Sequence, residues 1–350
     1  MTAALAGTVV AVQANFYRVQ LHHPPANQPA MLLCTRRTRL LKTGQRVMVG
    51  DRVWVEEPDW QGQRGAIASV EPRSSELDRP AIANVDQILL VFAVAEPELE
   101  PLQLTRFLVT AESTGIPVQL CLSKCDLVTA GAIAAWQERL AQWGYQPLWL
   151  SQNQPERWPL LLKQLIGRMT VVAGPSGVGK SSLINRLIPD LELRTAKVSG
   201  KLGRGRHTTR HVELFELPQG GLLADSPGFN QPELICSDRE LAQYFPEIRQ
   251  RLAADRCQFH DCRHLEEPGC SIRGDWERYS HYQDLLEEAI AQTQQQNRST
   301  QEDAGSKRKS ADGGKLRYEP KLQSRRYRRD SRRSQHQSVA EALHNAELED

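Results

Sequence analysis

Cysteine is scarce in this chain: there are seven in 350 residues, and three of them, Cys34, Cys121 and Cys236, are isolated in apparent strands or loops. That excludes a disulfide framework and fits a reducing compartment. Long apolar runs are also missing. The longest, residues 88–95, is too short to cross a membrane, and its place between Asp86 and Glu96 suits a central parallel strand. No basic stretch precedes the apolar start of the chain, which meets Gly7 and Thr8 early, so a secretory signal is not expected and the chain is placed in the cytoplasm, away from membranes. Net charge is low too, 44 Lys and Arg against 42 Asp and Glu. A chain of this length is expected to hold two or three domains.

What is present begins with a phosphate-binding loop, Gly174, Pro175, Ser176, Gly177, Val178, Gly179, Lys180 and Ser181, followed by Ser182. Every fixed position of G-x-x-x-x-G-K-[ST] is filled. The β-branched run 169–173 before it is expected to be a buried strand, and 182–188 after it a helix stopped by Pro189. Strand, glycine loop and helix are what the chemistry needs. Glycines let backbone N–H groups turn inward around phosphates, and the helix N-terminus adds partial positive charge. Lys180 would reach the β- and γ-phosphates, and the Ser181 hydroxyl would ligate Mg²⁺. A plain glycine turn is the alternative, and the loop alone does not choose the nucleotide.

Base choice is argued from Ser123, Lys124, Cys125 and Asp126, at the end of an expected strand over 118–122. Asp126 can accept both the ring N–H and the exocyclic amine of guanine, and the Lys124 stem can cover the base. GTPases usually carry Asn at the first of these positions. Ser123 is shorter and is expected to keep only part of that contact, leaving guanine selectivity but modest affinity. A second base contact, a backbone N–H, is expected from residues 151–153.

This base motif lies about fifty residues before the phosphate loop, whereas an ordinary GTPase has it after. The order implies a circularly permuted GTPase domain, which requires only that the original ends lie close together at the surface. Downstream, Asp225 and Gly228 form D-x-x-G after an apolar stretch, and Asp225 would hold the Mg²⁺ shell while the Gly228 N–H feels the γ-phosphate. The glycine-rich, basic segment 200–210 is the natural first switch, with Thr209, or failing that Thr208, as metal and γ-phosphate ligand. Its alternative is a surface loop against RNA backbone. Where many GTPases place a water-orienting Gln after the D-x-x-G glycine, this chain has Phe229, which can neither accept nor donate a proton. Slow intrinsic turnover is expected, with His207 the internal candidate for positioning water.

Cys257, Cys262, His264 and Cys270 gather four soft ligands within fourteen residues, a spacing that suits one closed, structural, tetrahedral Zn²⁺ site, with His260 a spare candidate. Helices are expected over 241–252 and 276–292 around it, and with no long apolar core evident there a metal-dependent small domain is expected. At the other end of the chain, short alternating segments at 8–12, 17–21, 31–35, 46–55 and 64–70 imply a small barrel, for which an OB-fold is the natural choice. Arg36, Arg37, Arg39 and Lys42 are candidate phosphate contacts, or a solvated loop. From Arg298 to Arg333 there are thirteen Lys or Arg against five Asp or Glu, with few apolar residues, which implies a disordered basic tail suited to rRNA backbone, Tyr327 stacking on a base.

Taken together, the permuted order, the loop from Gly174 to Ser182, the run His207, Thr208, Thr209, the Asp225 to Phe229 segment and the cysteine cluster resemble the ribosome small-subunit-dependent GTPase A family, RsgA, also called YjeQ or EngC. The likeness covers most of residues 1 to about 295. It implies a GTPase, cycling between GTP and GDP, that acts in late maturation of the small (30S) ribosomal subunit, is stimulated by that subunit and so meets 16S rRNA, and carries an N-terminal OB-fold and a C-terminal zinc domain. Ser123 departs from the family pattern. The fold expected is therefore multidomain α/β: an OB barrel over 1–75, a permuted phosphate-loop GTPase core over 76–237, a helical zinc-binding domain over 238–295 and a basic tail over 296–350, in a monomer. The rival readings are a non-catalytic, nucleotide-gated rRNA-binding checkpoint protein and a phosphate-loop nucleotide kinase.

Overall fold

Period-2 burial folds the first seventy residues into a barrel. The computed structural model describes residues 4–42, 44–189, 191, 212–225, 234, 236–310 and 316–320. Strands β1 (Leu5–Gln13), β2 (Phe16–Leu21), β3 (Met31–Arg36), β4 (Arg52–Asp59) and β5 (Arg64–Val70) close in the order β1-β2-β3-β5-β4. β3 and β5 are parallel and the remaining pairs antiparallel, the OB arrangement. A short helix, α1 (Thr38–Lys42), follows β3. Val9, Val19, Leu32, Val55 and Ile67 fill the interior; β2, β3 and the first half of β4 alternate buried and more exposed positions as the pleat requires, while β1 is buried from Gly7 to Ala11.

The fourth strand starts at Arg52, not near residue 46 as the sequence suggested. Asp51 is fully buried, and its carboxylate accepts from the Met48 N–H at 2.7 Å and from Arg73 at 2.8 and 3.1 Å. A buried carboxylate must be paired, so residues 46–51 fold around it, with Gly50 at φ +87° making the turn. A hairpin of β6 (Glu76–Asp78) and β7 (Ala81–Ala83) then leads out of the barrel. The Asn84 amide fixes the join by donating to Gly50 O at 3.0 Å and accepting from the Ser74 N–H at 2.9 Å.

The α/β core comprises β8 (Gln87–Ala93), α2 (Pro101–Glu112), β9 (Val118–Ser123), α3 (Ala130–Gln142), β10 (Leu148–Trp149), α4 (Trp158–Leu165), β11 (Met169–Ala173), α5 (Lys180–Leu187), β12 (Leu214–Glu216) and β13 (Leu222–Asp225). Its sheet runs β10-β9-β8-β11-β13-β12. All pairs are parallel except β12 with β13. β8 is buried along its whole length, as expected of a central parallel strand covered on both faces. Apolar clusters lie on either side, one around Phe92, Phe107 and Leu120, the other around Val172, Leu183 and Trp158.

Beyond the sheet, α6 (Pro246–Ala254) begins only at Pro246, later than the expected residue 241, because proline favours the first turn and residues 241–244 form a separate 3₁₀ turn. α7 (Tyr279–Gly305) begins three residues later than expected and runs past 292, its Gln-rich stretch being compatible with helix. This region has more apolar core than its sequence suggested. Phe245, Ile248, Tyr282, Leu285 and Leu286 are buried, and Arg278, 0% exposed, bonds both carboxylate oxygens of Glu247. The Arg278 guanidinium also faces the rings of Trp143 at 4.7 Å and Phe245 at 4.9 Å. Trp143 follows α3, so the C-terminal helices share their packing with the α/β core; Arg106 pairs with Glu288 at 2.7 Å, and Trp143 Nε1 donates to Glu277 at 2.8 Å.

By contact density the chain divides at residues 289 and 290 into two units. In the second, β14 (Ser306–Ser310) and β15 (Leu316–Pro320) pair antiparallel. The stretch expected to be a disordered tail thus carries a helix end and a hairpin where it is described; Tyr327 and its flanking arginines lie outside the described residues. No described helix is long and apolar enough to cross a membrane.

Candidate nucleotide site and metal centre

β11 delivers the phosphate loop to the carboxyl edge of the sheet, where ligands of open α/β folds bind. Gly174 has φ +137°, and a Cβ there would lie 2.0 Å from Val91 O of β8, so no side chain fits. Gly177 and Gly179 also have positive φ, at +83° and +98°. Lys180 folds back over the loop, its Nζ donating to Gly174 O at 2.8 Å and Pro175 O at 2.7 Å. Burial lowers its pKa, opposed by the charge of Asp225. Asp225 ends β13 in register with Val172 on β11, which puts it at the same sheet edge as the loop.

The base motif reaches this edge from β9. Ser123 Oγ donates to Val178 O inside the phosphate loop at 2.6 Å, with Phe92 O at 3.1 Å. A side chain fifty-five positions upstream is thereby bonded to the loop backbone. The Ser123 hydroxyl fastens loop to motif. Lys124, at φ +57°, turns the chain and donates from Nζ to Glu96 O. Cys125 is buried, its N–H bonded to Leu150 O at 3.2 Å, and raised in pKa by burial. Its place is structural.

Asp126 accepts from Ser151 Oγ at 2.6 Å and from Asn153 Nδ2 at 2.9 Å. The Ser151 bond is the main cause holding its carboxyl below the ordinary value. Two bonds leave a carboxylate with acceptor capacity on both oxygens. The 151–153 turn is held in turn by Trp158, whose Nε1 donates to Ser151 O at 3.0 Å, and Arg186 stacks on the Trp158 ring at 4.8 Å. Sequence reasoning had assigned this turn a backbone contact and missed the Asn153 side chain, for which no local motif exists. Together Ser123, Lys124, Asp126, Ser151, Asn153, Gly177 and Ser182 line a cleft of about 330 Å³. His207, Thr208, Thr209, Gly228 and Phe229 lie outside the described residues.

The second site is local. Donor atoms of Cys257, Cys262, His264 and Cys270 lie within 4.8 Å of one another. Cys257 Sγ is 3.5 Å from His264 Nδ1 and 3.9 Å from Cys270 Sγ, and Cys270 Sγ is 3.6 Å from the same nitrogen. Tetrahedral zinc with Zn–S near 2.3 Å and Zn–N near 2.0 Å has edges of about 3.5–3.8 Å, close to the separations among Cys257, His264 and Cys270. Burial lowers the His264 pKa, favouring the neutral ring that a metal requires. Tyr279 and Tyr282 brace the loop, their hydroxyls donating to His264 O and Arg263 O at 2.8 Å each. His260 is not among the clustered donors.

A sequence model of the RsgA GTPase family matches residues 70–235. A curated relative from Trichormus variabilis, the small ribosomal subunit biogenesis GTPase RsgA, is 57% identical over 97% of this chain and 96% of its own length. This chain belongs to the RsgA GTPase family. As a member it is a GTP hydrolase, which sets aside the nucleotide kinase and the non-catalytic checkpoint. Two solved structures are similar over most of the chain. YloQ, described as a circularly permuted GTPase, aligns at 30% identity and TM-score 0.68 over 82% of this chain and 96% of its own. YjeQ from Thermotoga maritima aligns at 29% and 0.69, over 82% and 99%. The reversed order of base motif and phosphate loop in this chain accords with the circular permutation named for YloQ.

Proposed function

We propose that this chain binds GTP in the cleft between Ser123 and Ser182, hydrolyses it slowly alone, and is accelerated in the cytoplasm by the small ribosomal subunit whose assembly it serves. The observation that carries this is the Ser123 to Val178 bond, which brings a guanine-reading motif and a phosphate loop of reversed order into one cleft. The partner comes from the names of relatives that match nearly end to end.

In this reading Asp126, held ionised by Ser151 and Asn153, accepts the two guanine N–H groups. Lys180 exchanges its carbonyl partners for β- and γ-phosphate oxygens, a stronger charge-assisted contact. Ser181 and Asp225 would hold Mg²⁺, with Thr209 or Thr208; the ion neutralises charge on the β- and γ-phosphates. The Gly228 N–H would sense the γ-phosphate. Phe229 cannot orient water, so His207 takes that role once its segment is placed by the subunit, and positioning plus electrostatics supply the acceleration. Cys257, Cys262, His264 and Cys270 hold structural zinc. Co-sedimentation tests the cycle: the GTP-bound form is expected to bind small subunits more tightly than the GDP-bound form, and equal affinities would overturn it.

A further inference from the structure

The barrel bonds to the α/β sheet beside its outer strand β12, and that strand has a special place in the chain. β12 is the outer strand on its side of the sheet, paired with β13 through Leu214–Ala224, Phe215–Leu223 and Glu216–Leu222. In sequence it directly follows the segment bearing His207, Thr208 and Thr209. β13 ends at Asp225, and Ser226 to Phe229 come next. The expected hydrolytic residues outside the phosphate loop are therefore attached to the two ends of one antiparallel pair.

The barrel holds β12 in three ways. Ala11 of β1 bridges Glu213 by backbone bonds, just before the named strand begins. Arg18 of β2 pairs with the Glu213 carboxylate at 2.6 Å, and the Gln20 amide of the same strand donates to the Glu216 carboxylate. Beneath them Val10 joins the buried cluster that contains Val212 and Leu214, with Val12 and Met31 packed against it. Arg18 and Glu213 are 44% and 43% exposed. An ion pair so open to water adds little to stability, which makes a stabilising role a poor account of two polar contacts placed on Glu213, just before β12, and on Glu216, at its end.

We propose that Arg18, Gln20, Glu213 and Glu216 form the mechanical link by which subunit binding at the barrel reaches the hydrolytic residues. A shift of β1 and β2 relative to the sheet pulls on β12, and β12 carries the preceding segment and Asp225 with it. These four are positioning residues. This deepens the reading of a subunit-stimulated GTPase and rests on it.

The test is GTP turnover of the full chain, with and without small ribosomal subunits, for the wild type, Arg18→Glu, Glu213→Arg and the double exchange. Co-sedimentation with subunits and thermal melting are read in parallel. Each single variant should keep its basal kcat and KM within about twofold and still sediment with subunits. Its stimulated kcat should fall by about three- to tenfold, the range for a broken coupling contact. The double exchange should regain most of the stimulation by restoring the pair in reverse. Single variants stimulated like wild type, or an Arg18→Glu defect that appears as lost sedimentation and is not rescued by Glu213→Arg, would overturn the link. A wild type indifferent to subunits would instead overturn the underlying reading and the link with it.

Discussion

The two halves of the nucleotide cleft are fastened differently. On the guanine side every named group is held by neighbours within the α/β core: Ser123 by Val178, Asp126 by Ser151 and Asn153, and the 151–153 turn by Trp158. On the hydrolytic side, the strand pair that ends at Asp225 has its outer edge held by the barrel, through Ala11, Arg18 and Gln20. The guanine side is thus held within the core, while on the proposed reading the geometry needed for turnover is shared with the barrel, through which a partner would act. On the proposed reading, with Phe229 in place of a water-orienting glutamine, such a division would let the enzyme wait loaded until a partner completes the site.

Variants should separate the halves. The largest effect belongs to Lys180→Ala, which removes the central phosphate cation from both. Turnover should fall by about 100-fold or more, and calorimetric titration should find GTP affinity sharply reduced. Removing zinc comes next. Cys262→Ser should abolish stoichiometric zinc by elemental analysis and lower the melting temperature by several degrees, since metal-site free energy is folding free energy. Because Arg278 packs against Trp143, the loss should broaden the melt of the α/β core too; a core transition unmoved by zinc loss would show the two regions to be independent.

A smaller effect is expected at the base motif. Ser123→Ala deletes one hydrogen bond of about 1 kcal/mol, so GTP and GDP affinity should each weaken by roughly fivefold while the stimulation ratio stays constant. A changed ratio would break the separation between halves. Ser151→Ala with Asn153→Ala releases Asp126 and should narrow the preference for GTP over ITP, which lacks the exocyclic amine, by a few-fold in competition binding.

The smallest effect is in pH. Burial lowers the Lys180 pKa, and only its protonated form attracts phosphate. As pH rises through that lowered value the cation is lost, so GTP affinity should begin to fall at a lower pH than an ordinary lysine would allow. Lys180→Ala should bind weakly at every pH with no such fall.

How much of this was legible in the sequence depended on range. The phosphate loop and the four clustered Cys and His donors each sit within fourteen residues or fewer, and their spacing pointed to them. The buried strand 169–173 appeared at its expected bounds, since a β-branched run is its own signal. Long-range contacts were a different matter. Nothing local in Ser123 points to Val178, nothing in Arg278 to Trp143, and nothing in Arg18 to Glu213, because each pair meets only through the order of strands and the docking of helices. The late start of β4 was missed for the same reason: the partner of Asp51, Arg73, lies 22 residues further along the chain.

The measurement that bears most directly on the account is GTP hydrolysis by the purified chain with and without small ribosomal subunits, beside Lys180→Ala. Slow turnover that rises severalfold or more only with subunits, and is absent from the variant, is the predicted result. Turnover of the wild type that is equal in both conditions would contradict a hydrolytic half completed by its partner.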